Sequence, residues 1–176
     1  MTKMKRLLLA GLVTGIASAG AAADNVAQQA GSDSAAVTEE NGRYFTADGI
    51  PTYKVAADGT VDWLTFSGFR RYHSECHVCH GPDGMGSTYA PPLKDAVEQM
   101  DYYDFVYTVS NGRENVDVSH QKVMPSFGHN KNVMCYLDDI YVYLKARGDD
   151  AIPRGRPAKK EAKSDAIAED VNACMG

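Results

Sequence analysis

The chain has 176 residues, with 18 Lys+Arg set against 23 Asp+Glu for a net charge of −5, and 44% of its residues are hydrophobic. An acidic balance of this kind excludes nucleic-acid binding through general electrostatics. No apolar run is long enough to span a bilayer, and the length suits one core rather than several.

Lys3, Lys5 and Arg6 precede an apolar run from Leu7 to Ile16, and Ala21–Ala23 supplies small residues for cleavage. Residues 1–23 therefore read as an export signal, with the mature chain starting near Asp24. Losing them removes three basic residues and no acid, which takes the net charge from −5 to −8. From Asp24 to about Glu40 the chain is rich in Ala, Gln, Ser and Gly without a hydrophobic period, as in a flexible leader. Thr52–Val55 and Thr60–Val61 flank an Asp58-Gly59 turn and predict a small hairpin, so that residues 24–61 form a leader and hairpin.

Asp62 is the N-cap of a predicted helix carrying Trp63, Phe66, Phe69 and Tyr72. Gly68, Tyr72 and Cys76 recur every four residues on one face, where the glycine lets another helix approach closely. The helix leads into Cys76-His77-Val78-Cys79-His80. This C-x-x-C-H spacing is the attachment sequence of c-type haem: two thiols form thioethers to the porphyrin, and the adjacent imidazole becomes an axial iron ligand. A redox dithiol would need a βαβ setting that the sequence lacks, and a zinc site would need a second cysteine pair. Both also leave His80 unexplained. His73 and His77 stand one turn apart at a zinc-compatible spacing, but a surface position is the simpler reading. In bacteria such haem is attached after export, so motif and signal together place the mature chain in the periplasm.

Gly81-Pro82-Asp83-Gly84-Met85-Gly86 follows, with no lysine in phosphate-loop position and no preceding strand. Its glycines let backbone pass close to a porphyrin. Pro91-Pro92-Leu93 is stiff and extended, and can offer a carbonyl to the free ring nitrogen of His80. Asp101 then caps a helix with Met100 stapled against Phe105, and Asn111-Gly112 ends it. Arg113 is expected in solvent.

Pro125 forces Met124 out of helical geometry, so its thioether projects from an extended segment. That suits the sixth position on a haem iron, where a Met/His pair gives a high potential. His120 is the alternative donor, and a core methionine the simpler role. Without Met124 on the iron, an open site would suit a haem enzyme or gas-binding protein. The last core helix is expected from Asn132 as N-cap to Arg147, with Val133, Leu137, Ile140 and Leu144 as its apolar stripe. Cys135 falls about 200° from Val133, on the outer face.

In an oxidising compartment the two cysteines outside the motif, Cys135 and Cys174, should pair. Their disulfide would tie the tail, residues 149–176, over the last helix and is worth about 4 kcal/mol on the chain-entropy model. Arg154, Arg156, Lys159, Lys160 and Lys163 form a basic cluster that reads as a solvated face.

Residues 62–148 resemble a class I c-type cytochrome: the helix with Gly68 and Tyr72 before C-H-V-C-H, the proline-leucine segment, Met124, and Ile140–Leu144 in the closing helix. The two extra cysteines, Arg154-Gly155-Arg156-Pro157 and the ending Cys174-Met175-Gly176 are similar to the four-cysteine cytochromes associated with methanol metabolism. The resemblance implies an all-α fold around one covalent haem c, with the N-terminal hairpin and the disulfide-tethered tail added. It implies that Cys76 and Cys79 anchor the haem and that His80 and Met124 ligate its iron. It also implies an electron carrier rather than an enzyme, monomeric, without a membrane span. Such a carrier works beside a quinoprotein methanol dehydrogenase containing PQQ and passes electrons to another cytochrome or a terminal oxidase. A generic periplasmic carrier, or a subunit of another dehydrogenase or oxidase complex, is the alternative.

Overall fold

A computed structural model describes residues 34–116 and 121–176. The export signal, the start of the leader and His120 lie outside the described residues. Among the described residues no helix is long and apolar enough to cross a membrane.

Helix α1 (Trp63–Glu75) begins where expected, with the Asp62 carboxylate accepting from the Thr65 N–H at 2.8 Å. The same carboxylate takes the Lys54 N–H at 2.8 Å, which fixes the incoming chain to the cap. A short turn, α2 (His77–His80), continues from α1, and a 3-10 turn covers Pro82–Gly84. Helices α3 (Leu93–Gln99) and α4 (Tyr102–Asn111) follow; Asp101 caps α4 by accepting from Asp104 N–H at 2.7 Å. Gly112 (φ +78°) ends α4, as the sequence predicts.

The last core helix differs from its prediction. It is two pieces, α5 (Lys131–Met134) and α6 (Leu137–Gly148), and the cap is Asn130, whose side chain accepts from Asn132 N–H. Tyr136 leaves helical space at φ −133°, ψ 22°. Two contacts hold this break: the Arg71 guanidinium lies 3.5 Å from the Tyr136 ring centroid, and Cys135 is tied by a disulfide.

Helices α1 and α6 pack against each other at the centre of the core. A Cβ on Gly68 would overlap the Asp139 carbonyl and stand 2.7 Å from Tyr143 Cβ, so the missing side chain sets how closely the helices approach. Around this crossing Tyr72, Tyr143, Leu144, Val142 and Val133 are completely buried. Helix α3 lies across the other end of α6, where Val97 is buried beside Gly148.

Short strands surround the helices. An antiparallel sheet runs β1 (Thr38–Glu40), β2 (Arg43–Phe45), β3 (Pro51–Thr52). The hairpin expected at Thr52–Val61 forms at its turn end, where the Ala56 N–H donates to the Thr60 carbonyl at 2.8 Å, the Asp62 N–H to the Lys54 carbonyl at 2.9 Å and Val55 bridges Val61, while Thr52 pairs with Tyr44 in that sheet. Strand β4 (Thr60–Val61) also takes β7 (Lys159–Lys160) of the tail as a parallel partner. Between them in sequence, β5 (Arg113–Val116) and β6 (Gln121–Met124) form an antiparallel hairpin that pairs Arg113 with Met124.

The tail ends in α7 (Asp165–Met175), capped by Ser164. Ile167 of α7 is buried with Leu64 and Val142, and Cys174 bonds Cys135 with their Cα atoms 5.7 Å apart. The basic cluster is exposed, as its sequence suggests, and most of its side chains also find partners. Lys159 meets Asp58 at 3.1 Å, Arg154 meets Asp83 at 3.2 Å, and Lys160 and Arg156 lie over Trp63 and Phe66 at 4.8 and 5.2 Å.

Asp139 sits inside this packing, with Oδ2 lacking a hydrogen-bond partner among the described residues. Burial pushes its carboxyl up to about 7; Asp138 and Asp62 add to the effect, and Ser67 from α1 and Arg43 from β2 offset part of it. The folded protein thus holds a proton that the unfolded chain releases near pH 4. The stability tied to that proton is complete below pH 4 and is lost as pH rises through about 7. Asp139→Asn is expected to remove this fall. Denaturant midpoints at pH 5 and pH 8 should differ less in the variant than in the parent, which loses about 1.4 kcal/mol per unit of displacement.

Candidate haem site

The site starts at the end of α1. Cys76 caps the helix through its N–H to the Tyr72 carbonyl, and the chain makes one further turn in which His80 N–H donates to the Cys76 carbonyl at 3.0 Å. That turn puts Cys76, Cys79 and His80 together. Neither thiol is in a disulfide; Cys76 is half-buried and Cys79 exposed. Burial, with smaller contributions from Glu75 and Cys79, pushes the Cys76 thiol up to about 12. A redox dithiol needs a cysteine shifted the other way, towards thiolate, so this environment disfavours the redox reading.

His80 is buried, and its Nδ1 lies 3.0 Å from the Pro91 carbonyl oxygen. Nδ1–H donates to that oxygen, which leaves Nε2 with its lone pair free for a metal. This is the contact expected from the extended Pro91-Pro92 segment. The intervening loop closes through the Gly86 N–H to the His80 carbonyl at 2.7 Å, and Ser87 Oγ donates to the Cys79 carbonyl. Gly81 and Gly86 have φ of +72° and +81°, and a Cβ on either would strike backbone of Gly86 or Pro92. Their glycines thus admit the chain's own backbone.

Tyr72 is the residue whose role the sequence understates. Its ring fills the core as expected, while its hydroxyl donates to the Gly81 carbonyl at 2.6 Å and accepts from the Gly84 N–H at 3.1 Å. The His80 carbonyl is 3.2 Å from the same oxygen. One phenol therefore pins the whole loop behind the imidazole.

Met124 ends β6, immediately before Pro125, and its half-buried side chain packs against the same apolar cluster as Cys76. Gly112 makes room for this segment: a Cβ there would stand 2.5 Å from the Met124 carbonyl oxygen and 2.8 Å from Ser126 N. Phe127 and Gly128 N–H groups then donate to Val109 and Ser110 carbonyls of α4, both at 3.0 Å. Met85 is exposed, and the Met134 sulfur is engaged by Ser110 Oγ at 3.8 Å.

His73 and His77 both turn Nδ1 onto helix carbonyls, of Phe69 at 2.8 Å and of His73 at 2.6 Å. His73 Nε2 is also engaged, accepting the Asp83 N–H at 3.3 Å. Among the described residues no group of three or more His, Cys, Asp and Glu is placed to hold a metal ion, so the zinc alternative finds no support there. Two unbonded thiols, an oriented buried imidazole and a thioether on an extended segment instead form a donor set that can hold a covalent haem.

Comparison with known proteins agrees. No family model matches the chain. Cytochrome c-553I of Paracoccus denitrificans is 60% identical over 136 residues, which is 77% of this chain and 60% of that protein's length. Cytochrome c-555 of Methylococcus capsulatus is 34% identical over 107 residues, 60% of this chain and 80% of its own. The crystal structure of the c-type cytochrome XoxG from Methylobacterium extorquens AM1 superimposes with a TM-score of 0.78 at 49% identity, covering 84% of this chain and 90% of that one. The chain belongs to the c-type cytochromes, haem-bearing electron-transfer proteins. Its helical fold is that of class I.

Replacing Tyr72 by Phe would keep the ring and strip the loop of its hydroxyl partner, leaving the Gly81 carbonyl and Gly84 N–H buried and unpaired. The expected loss is about 1–3 kcal/mol in denaturant unfolding.

Proposed function

We propose that the mature chain is a periplasmic monohaem cytochrome c that carries one electron at a time. On this reading Cys76 and Cys79 anchor a single haem c through thioethers, and His80 and Met124 are its axial ligands. The observation that carries the reading is the His80 ring, buried and oriented by the Pro91 carbonyl with Nε2 free. A neutral imidazole held this way is a stronger and better aimed ligand than a free one. Residues 1–23 act as the export signal, 24–61 as leader and hairpin, 62–148 as the haem-binding core and 149–176 as the tail.

Bound haem supplies a reversible one-electron iron couple. The chain's part is to fix both ligands so that the change of charge needs little rearrangement, and several contacts support that. His80 is held through Nδ1 and through the Tyr72 loop, and Met124 through the strand pairing with Arg113 and the hydrogen bonds of Phe127 and Gly128 to α4. His80 and Met124 would both hold the iron, and a haem held by two protein side chains would supply electron transfer rather than a substrate site.

The electron donor is a quinoprotein methanol dehydrogenase containing PQQ, and the acceptor another cytochrome or a terminal oxidase. The similarity to cytochrome c-553I and to XoxG supports the donor assignment. Oxidised, haem-loaded protein mixed with such a dehydrogenase and methanol should be reduced rapidly and saturably in stopped flow. The rate should change with salt if the acidic surface guides docking. Slow, unsaturable reduction would leave a generic periplasmic carrier, or a subunit of another complex, with a donor elsewhere.

A further inference from the structure

The loop behind His80 contains a carboxylate that haem attachment does not use. Asp83 is buried, and its backbone takes φ +58°, a conformation that non-glycine residues rarely adopt. Its side chain collects three donors from two distant parts of the chain, the last core helix and the tail. Oδ1 accepts from the Gly155 N–H at 3.1 Å and from the Tyr143 hydroxyl at 3.4 Å, and Oδ2 accepts from Arg154 Nε at 3.2 Å. His73 Nε2 lies 3.4 Å from Oδ1, and the Asp83 carbonyl accepts from Arg147 Nε at 3.5 Å. Burial alone would raise this carboxyl; the Gly155 N–H and Arg154 outweigh it and hold Asp83 below the usual carboxylate range. The group is therefore a buried, fixed anion.

It is also rigidly placed relative to His80. Two residues separate them, and the Tyr72 hydroxyl ties Gly81 and Gly84 on either side of Asp83 while Gly86 closes onto the His80 carbonyl. Its principal cation is different in kind: the Arg154 side chain is 59% exposed and comes from the tail. A buried anion acts on a nearby charge through low dielectric, whereas an exposed cation is screened by water.

We propose that Asp83 and Arg154 form an electrostatic positioning pair that sets the reduction potential of the haem, the loop supplying the anion and the tail the cation. This rests on His80 being the proximal ligand. The signs follow from Coulomb's law. Ferric haem carries one more positive charge than ferrous, so Asp83 favours the oxidised state and lowers the potential. Arg154 neutralises part of Asp83 and raises it. The tail thereby tunes the haem as well as covering the core.

The test is the midpoint potential of the haem-loaded, full-length mature protein and of three variants. Asp83→Asn keeps an acceptor for the Gly155 N–H and removes the charge. It should raise the equilibrium constant for reduction by up to about tenfold, or 59 mV for a one-electron couple. Arg154→Gln should lower the constant, and by a smaller factor because the arginine is exposed. The double variant should return towards the parent. A purely structural role would instead loosen the same loop in both single variants and move both potentials in one direction. A pyridine haemochrome spectrum of the parent separates the two levels of failure. Absence of one c-type haem per chain would overturn the ligand reading, and the inference with it. An intact haem whose potential shifts the same way in both single variants, or in neither, would overturn the pair's role alone. If Asp83→Asn does not fold, the direction of the Arg154→Gln shift decides: downward supports the pair, and upward or none overturns it.

Discussion

Everything at this site depends on how closely α1 approaches α6. Gly68 permits backbone-to-side-chain contact where any other residue would overlap the Asp139 carbonyl, and overpacking at such a point costs about 1–3 kcal/mol. With the helices at that distance, α1 delivers Cys76 and the turn to His80 at a fixed place beside the core. On the other side of the same crossing, α6 sends the Tyr143 hydroxyl and the Arg147 guanidinium to the loop behind His80. The packing of apolar faces and the orientation of the imidazole are thus one constraint seen at two levels.

A belt of buried hydrogen bonds converts that packing into a fixed imidazole. Tyr72, Asp83 and the Pro91 carbonyl together satisfy the polar groups of a loop that passes close to the core, where an unpaired backbone group would cost more than a bond contributes. The tail completes the belt through Arg154 and Gly155, and the disulfide holds its far end against α5. An electron carrier gains from this arrangement because its two oxidation states then share one geometry.

Much of this was legible in the sequence wherever a local rule carried it. The Asp62 and Asp101 caps, the C-x-x-C-H turn, the small residue at Gly68 and the extended Pro91-Pro92 segment each follow from short-range chemistry, and the structure shows both helix starts and the Pro91 contact to His80. The pairing of Cys135 with Cys174 followed from compartment and helix face. The β5–β6 hairpin did not show itself, because Arg113–Val116 is exposed throughout and has no apolar alternation to mark a strand. The break at Tyr136 was hidden for a different reason. Its residues fit a continuous helix, and the Arg71 stack and the disulfide that lie at the break are contacts from elsewhere in the chain. Asp83 looked like one more turn residue; its partners Arg154 and Gly155 lie 71 and 72 residues away, beyond any local signal. The same distance concealed the partners of the basic tail.

The central claim is that His80 and Met124 together close the coordination of one covalent haem. The ferric absorption spectrum of the haem-loaded protein, recorded beside that of Met124→Ala, tests it most directly. The account predicts a methionine-sulfur charge-transfer band in the parent and its loss in the variant, with conversion to a high-spin form that binds cyanide readily. A parent spectrum without the band, or a band that survives in Met124→Ala, would contradict it and pass the sixth position to another group.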